Sequence, residues 1–221
     1  MVIRRCAAIL AAAAAAVAML SGCTSDAEPV ETDAGRTVQL GAPGEDGREL
    51  TQDEIAELGQ PEYTDSDVAF VQGMIMHHEQ ALLMTSLVDE RSTRDDIPKL
   101  AERLDVSQHD EIAQLTAWLE ARGEQVPLSV TPEHHDHDQD PMPGMLTYEQ
   151  LSELAESSGA EFDRQFLEYM IFHHEGAIEM VDELLSGDGG QESEVFQLAS
   201  HIDGDQRVEI SRMTRLLAEL P

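Results

Sequence analysis

One stretch used twice constrains this chain more than any other feature. Residues 70–84 read FVQGMIMHHEQALLM and residues 166–180 read FLEYMIFHHEGAIEM. The flanks repeat in the same register, so that LTQDEIAEL from Leu50 returns as LTYEQLSEL from Leu146, and Asp67 as Asp163. Further on, LAERLDVSQHDEI from Leu100 returns as LASHIDGDQRVEI from Leu198, with two extra residues between the parts of the second copy. Self-similarity of this kind means one supersecondary unit built twice. The unit is a paired-histidine segment followed by a Gln-x-x-Glu segment.

Both segments have helical periodicity. Phe70, Met74, His77, Ala81, Met84 and Val88 recur in steps of four and three, the spacing of a buried seam, with Val71, Ile75, His78 and Leu82 beside them. The second copy gives Phe166, Met170, His173, Ala177, Met180 and Leu184, beside Leu167, Ile171, His174 and Ile178. Each histidine therefore falls where the pattern asks for an apolar residue. The partner helices behave alike. Leu100, Leu104, Gln108, Glu111, Leu115 and Trp118 form one stripe, and Leu198, Ile202, Gln206, Glu209, Met213 and Leu216 form its counterpart. Polar groups in a core stripe are costly unless they pair or coordinate something. A turn near residue 94 sets His77 and Glu111 at one level, each roughly 25 Å along its helix at ~1.5 Å per residue, with His78 and Gln108 about a turn away.

The N-terminus reads as an export signal over residues 1–22. Arg4 and Arg5 precede an Ala-rich run that ends at Leu20-Ser21-Gly22-Cys23, which resembles the lipobox of bacterial lipoproteins. That resemblance implies cleavage before Cys23 and a lipid on its thiol. Cys6 leaves with the signal, so no thiol remains for a disulfide or a nucleophile. Losing Arg4 and Arg5 takes the formal charge from −32 to −34. Such a surface repels nucleic acid and attracts cations. The expected partners are a metal ion and, through the lipid, a membrane. The chain is expected to be exported and held on the extracytoplasmic face of the cell membrane.

Residues 23–49 lack apolar periodicity and read as a flexible tether. Thr51-Gln-Asp-Glu54 then has the form of a capping box, and the first repeat occupies residues 50–123. Residues 124–145 (EQVPLSVTPEHHDHDQDPMPGM) read as a solvated linker whose prolines exclude a long helix. It carries His134, His135, His137, Met142 and Met145, a second and weaker set of metal donors. The second repeat fills residues 146–221, with Thr147 to Gln150 as its capping box. Two helical hairpins joined by one long connection predict an all-α four-helix bundle. Aromatic residues are few, at 4%, so its core is expected to rest on Leu, Ile, Met, Val and Ala.

These residues resemble the bacterial domain-of-unknown-function family 305 (DUF305). Its signature is similar to F-x-x-x-M-I-x-H-H-x-x-A-x-x-M followed by a helix with Q-x-x-E-I. Phe70, Met74, Ile75, His77, His78, Ala81 and Met84 fit it, then Gln108, Glu111 and Ile112. So do Phe166, Met170, Ile171, His173, His174, Ala177 and Met180, then Gln206, Glu209 and Ile210, giving two tandem copies. The PMPGM segment also looks typical of the family. What the resemblance implies is a ferritin-like bundle in exported bacterial proteins, some of which bind copper.

On chemistry, imidazole and thioether together suit Cu(I), while carboxylates help to hold Cu(II) or another divalent ion. The candidate ligands are Met74, His77, His78, Met84, Gln108 and Glu111, and Met170, His173, His174, Met180, Gln206 and Glu209. Neighbouring histidines point about 100° apart on a helix, so a second helix must contribute to any site. The competing account is a non-catalytic scaffold or interaction module, in which the histidines hydrogen-bond Gln108 and Glu111 and the methionines fill the core. A di-metal oxidoreductase fits less well, because no Glu-x-x-His motif lies at the histidine level. No enzymatic activity is expected.

Overall fold

The computed structural model describes residues 38–39, 46–57, 59, 61–128 and 142–221. The chain divides into a unit ending at Leu58 and a unit from Gly59 to Pro221. In the first, β1 (Val38–Gln39) pairs antiparallel with β2 (Arg48–Glu49), and α1 (Gln52–Glu57) follows. The expected tether over 23–49 therefore ends in a local hairpin, because backbone pairing of Val38 with Glu49 needs no apolar periodicity. The Thr51 box forms: its hydroxyl accepts the Glu54 N–H at 3.3 Å, and the Glu54 carboxylate accepts the Thr51 N–H at 2.9 Å.

In the second unit, Thr64 starts α2 (Asp65–Thr85). Its hydroxyl accepts the Asp67 N–H at 3.2 Å while the Asp67 carboxylate accepts the Thr64 N–H at 2.8 Å, a capping box. Asp67 Oδ1 also accepts the Gly190 N–H at 2.6 Å, so one buried carboxylate ties the start of α2 to a turn in the other hairpin. The periodicity of α2 continues past its end, but the helix stops at Thr85. There Thr85 and Ser86 turn their hydroxyls onto the Leu82 and Leu83 carbonyls, which offers the backbone an alternative to the helix ladder. A short α3 (Val88–Arg91) intervenes before α4 (Ile97–Arg122), which has Pro98 in its first turn and closes on Gly123 at φ 71°.

The second repeat gives α5 (Tyr148–Glu156), α6 (Gly159–Ser186) and α7 (Ser193–Ala218). Thr147 caps α5 through its expected box with Gln150. Glu192 caps α7 by accepting the Val195 N–H at 2.8 Å, and also accepts Trp118 Nε1–H at 3.2 Å, joining the end of α4 to the start of α7. Helix α2 packs on α4 and α6 on α7, and the hairpins meet chiefly along α2 and α6. The fold is an all-α bundle. Among the described residues no helix is long and apolar enough to cross a membrane.

The core consists of two apolar clusters. One gathers Phe70, Val71 and Met74 of α2 with Leu115 and Trp118 of α4, Ala177 and Met180 of α6, and Val195 and Ile202 of α7. The other gathers Ala81 and Met84 with Ile97, Leu100 and Leu104, Phe162, Phe166 and Met170, and Met213. On every long helix the residues between the clusters are polar: His77 and His78, Gln108 and Glu111, His173 and His174, Gln206 and Glu209. Full burial of a large apolar side chain stabilises by about 1.5–3 kcal/mol, so the clusters carry the fold and the polar layer is a cost they offset. Aromatic residues matter more than their scarcity suggests, since Trp118, Phe162 and Phe166 are among the largest fully buried side chains.

The linker expected at 124–145 is not wholly solvated. Val126 packs on the first cluster, and the Gln125 carbonyl accepts from Gln72 Nε2 at 2.7 Å. At its far end Met142 packs on the same cluster, and the Leu146 backbone exchanges two hydrogen bonds with the buried Gln80 side chain, at 2.7 and 3.0 Å. The reason is a glycine within α6. A Cβ on Gly176 would lie 2.2 Å from the Pro143 carbonyl oxygen and 2.4 Å from Gly144 Cα, so only glycine lets the two backbones touch. The donors His134, His135 and His137 lie outside the described residues, as does Cys23.

Candidate functional site

The polar layer brings the core candidates of both copies to one level of the bundle. All eight histidine, glutamine and glutamate side chains are buried, with exposures of 8% or less. The two copies form the same cross-hairpin pair. His174 Nε2 donates to Glu209 Oε2 at 2.7 Å. His78 Nε2 lies 2.5 Å from Glu111 Oε2, close enough for an ion pair but without the alignment of a hydrogen bond, so both groups count as unpartnered. It is thus His78, and not His77, that reaches Glu111. The two histidines stand at nearly one level but point about 100° apart on α2, so only one of them can face α4.

His77 and His173 instead face each other between the hairpins, with ring centroids 3.7 Å apart and planes tilted by 38°. His77 Nε2 lies 3.0 Å from the Pro143 carbonyl, which can only accept, so the proton sits on Nε2 and Nδ1 keeps its lone pair. His173 bonds the His77 backbone, which leaves its Nε2 without a partner. Burial holds the His77 pKa down at about 3, with His78 beside it adding to the effect and the Pro143 carbonyl opposing it. Burial also pushes His173 well below the ordinary imidazole range, with His77 the next contribution. Both rings are therefore neutral at neutral pH, the form that ligates metals.

The layer holds an unusual number of unmet groups. His77 Nδ1, His78 Nδ1, His173 Nε2 and His174 Nδ1 are buried without a hydrogen-bond partner, as are Gln108 Oε1 and Gln206 Nε2. Each such group costs about 1–3 kcal/mol, so the cluster calls for a chemical account. Imidazole nitrogens and carboxylates suit a borderline divalent ion. They do not form a finished site. Among the described residues no group of three or more His, Cys, Asp or Glu side chains is arranged to hold a metal ion. An ion would have to draw these donors together by rotation of the rings.

The methionines divide differently from the expected sets. Met74, Met84 and Met170 are fully buried in the apolar clusters. Met180 and Met142, from different parts of the chain, converge on Gly73, whose absent Cβ would lie 3.3 Å from both Met142 Sδ and Met180 Cε. They line a groove of about 340 Å³ with Phe70, Pro143 and Asp188. Met145 is half-buried. The sequence reading missed Pro143, whose contribution is a backbone carbonyl and so has no side-chain signal. A signal was present in Gly176, a glycine inside a helix where the first copy has Gln80.

Comparison with solved structures places the fold among known ones. A DUF305 fragment from Deinococcus radiodurans is 34% identical, with a TM-score of 0.63 over 72% of this chain and all of the fragment (100%). A DUF305 protein from Streptomyces coelicolor is 26% identical, with a TM-score of 0.60 over 70% of this chain and 93% of that one. CopM in its Cu(I)-bound form is 25% identical, with a TM-score of 0.54 over 69% of this chain and 96% of that one. No curated protein matches the sequence. The sequence profile described as "Domain of unknown function (DUF305)" matches residues 67–217 in a single span that contains both paired-histidine helices and both Gln-x-x-Glu helices. With two-thirds of its length inside that match, the chain belongs to the DUF305 family.

Proposed function

We propose that this protein binds copper, or another ion of similar preference, in the buried histidine layer, and that it does so outside the cytoplasm while anchored to the membrane through Cys23. The observation that carries the reading is the set of four buried imidazoles, each with an unpartnered nitrogen, beside two buried carboxylates. The CopM structures support it, since that protein of similar fold is known in Cu(I)-bound and Cu(II)-bound forms. For location, the support is the lipobox-like Leu20–Cys23 run and a similar protein named as a candidate secreted one. The role is binding for homeostasis or storage, without turnover.

Copper titration of the mature protein tests the site. At free copper 100-fold above Kd the parent should gain about 2.7 kcal/mol of stability. Replacing His77 and His78 by Gln is expected to remove at least half of the bound copper and much of that gain, and the same change at His173 and His174 should mirror it. Equal copper-induced stabilisation in parent and variants, at matched free metal, would remove the reading. It would leave the second one, a helical scaffold whose histidines serve the core. That alternative draws on the His174–Glu209 hydrogen bond, and under it the substitutions destabilise the metal-free protein instead.

Anchoring has its own test. Cys23→Ala is expected to move the protein from the membrane fraction to the soluble one, since each buried lipid CH₂ is worth about 0.8 kcal/mol. A variant that still pellets with membranes after a salt wash would show that Cys23 is not the anchor.

A further inference from the structure

The two halves of the bundle repeat each other, but one face departs from the repeat. Between α4 and α7 lies a cleft of about 90 Å³, lined by Glu111, Gln114 and Leu115 from one helix and Leu198, His201 and Asp205 from the other. That volume is on the order of three waters' share of liquid, enough for a cation that keeps part of its hydration. His201 and Asp205 are exposed and four residues apart on α7, so they stand on one helix face at the cleft. Glu111 belongs to both the cleft and the buried layer. It is only 8% exposed, its Oε2 lies 2.5 Å from His78 Nε2, and its Oε1 has no hydrogen-bond partner.

In the register of the repeat, His201 corresponds to Arg103 and Asp205 to Ser107. The equivalent face of the other half thus carries a guanidinium and a hydroxyl where this one carries an imidazole and a carboxylate. A fixed positive charge repels a metal cation, whereas a carboxylate beside apolar walls such as Leu115 and Leu198 focuses an attractive field into the cleft.

We propose that this cleft is the port through which a hydrated divalent cation reaches the His78–Glu111 half of the layer. His201 and Asp205 make the first contacts, and Glu111 passes the ion inward to His78. The inference rests on the metal-binding reading above and adds an order to it: the half containing His78 loads first. Imidazole with carboxylate selects a borderline divalent ion such as Cu(II).

Stopped-flow mixing of the full-length protein with aqueous Cu(II), read by quenching of the single tryptophan, Trp118, tests the port. A double variant carrying His201→Ala and Asp205→Asn is expected to slow the fast phase of uptake roughly tenfold and to flatten its dependence on salt, since steering of this kind is worth about 10–1,000-fold in rate. Arg103→His with Ser107→Asp, which installs the same pair on the other face, should raise the amplitude of the fast phase. An unchanged fast phase in the first variant would overturn the port while leaving the metal-binding reading in place. A parent protein that takes up no Cu(II) would overturn both.

Discussion

Lowering the pH from 6.5 to about 4.5 is expected to cost the bundle about 2 kcal/mol through His77 alone. Unfolded, this imidazole takes up its proton near pH 6.5; folded, it does so only near pH 3. Between those values the unfolded chain binds the proton and the native one does not. Stability therefore falls as pH falls, by about 1.4 kcal/mol per pH unit. His173, held well below its ordinary range by burial and by His77, adds a loss of the same sign. Asp96, lowered by its hydrogen bonds from Arg94, contributes only as pH falls through its ordinary value of 3.8, outside this window. Urea midpoints at pH 7, 5.5 and 4.5 measure the slope, and His77→Gln should make it shallower. Under the proposed function a metal ion takes only the deprotonated rings, so added copper is expected to oppose the acid effect. A flat profile would show that the imidazoles are not withdrawn from water as the structure has them.

Gly176→Val is expected to destabilise the protein by about 3 kcal/mol or more. The new Cβ would lie 2.2 Å from the Pro143 carbonyl oxygen and 2.4 Å from Gly144 Cα, and these are backbone atoms that cannot swing aside. Gly144 is itself at φ 73° against the Gly176 Cα, so the chain at 142–146 must lift away. That removes the acceptor of His77 and strands the fully buried Gln80, which loses both its bonds to Leu146. Gly73→Ala makes a sharp control. Its Cβ meets only side-chain ends, Met142 Sδ and Met180 Cε at 3.3 Å, and alanine gains about 1 kcal/mol of helix propensity over glycine. Thermal melts of the two variants should differ clearly, with Gly73→Ala close to the parent. Similar melting points would mean that residues 142–146 contribute little to the fold.

Much of this architecture is local and therefore readable from the chain. The seams through Phe70, Met74 and Ala81, and through Phe166, Met170 and Ala177, follow from a period that each helix carries by itself. The capping boxes at Thr51 and Thr147 involve atoms three residues apart, and the structure forms both. The left-handed stop at Gly123 is local as well. The repeat also made plain that the two polar sets must be treated alike, and that histidines in core positions needed partners.

What the sequence could not decide is which partner each one finds. His77 and His78 point about 100° apart on α2, and the way α2 packs against both α4 and α6 gives Glu111 to His78 and leaves His77 to the other hairpin. The contact of His77 with His173 joins residues of different hairpins, and its 3.7 Å spacing depends on how α2 packs against α6. The Pro143 carbonyl, the third party at that point, is a backbone group common to every residue, and only the close approach permitted by Gly176 brings it there. Periodicity determined that the donors lie in one buried layer. Packing between helices determined which nitrogens it leaves without partners, because that depends on distances between chain segments and not on spacing within one.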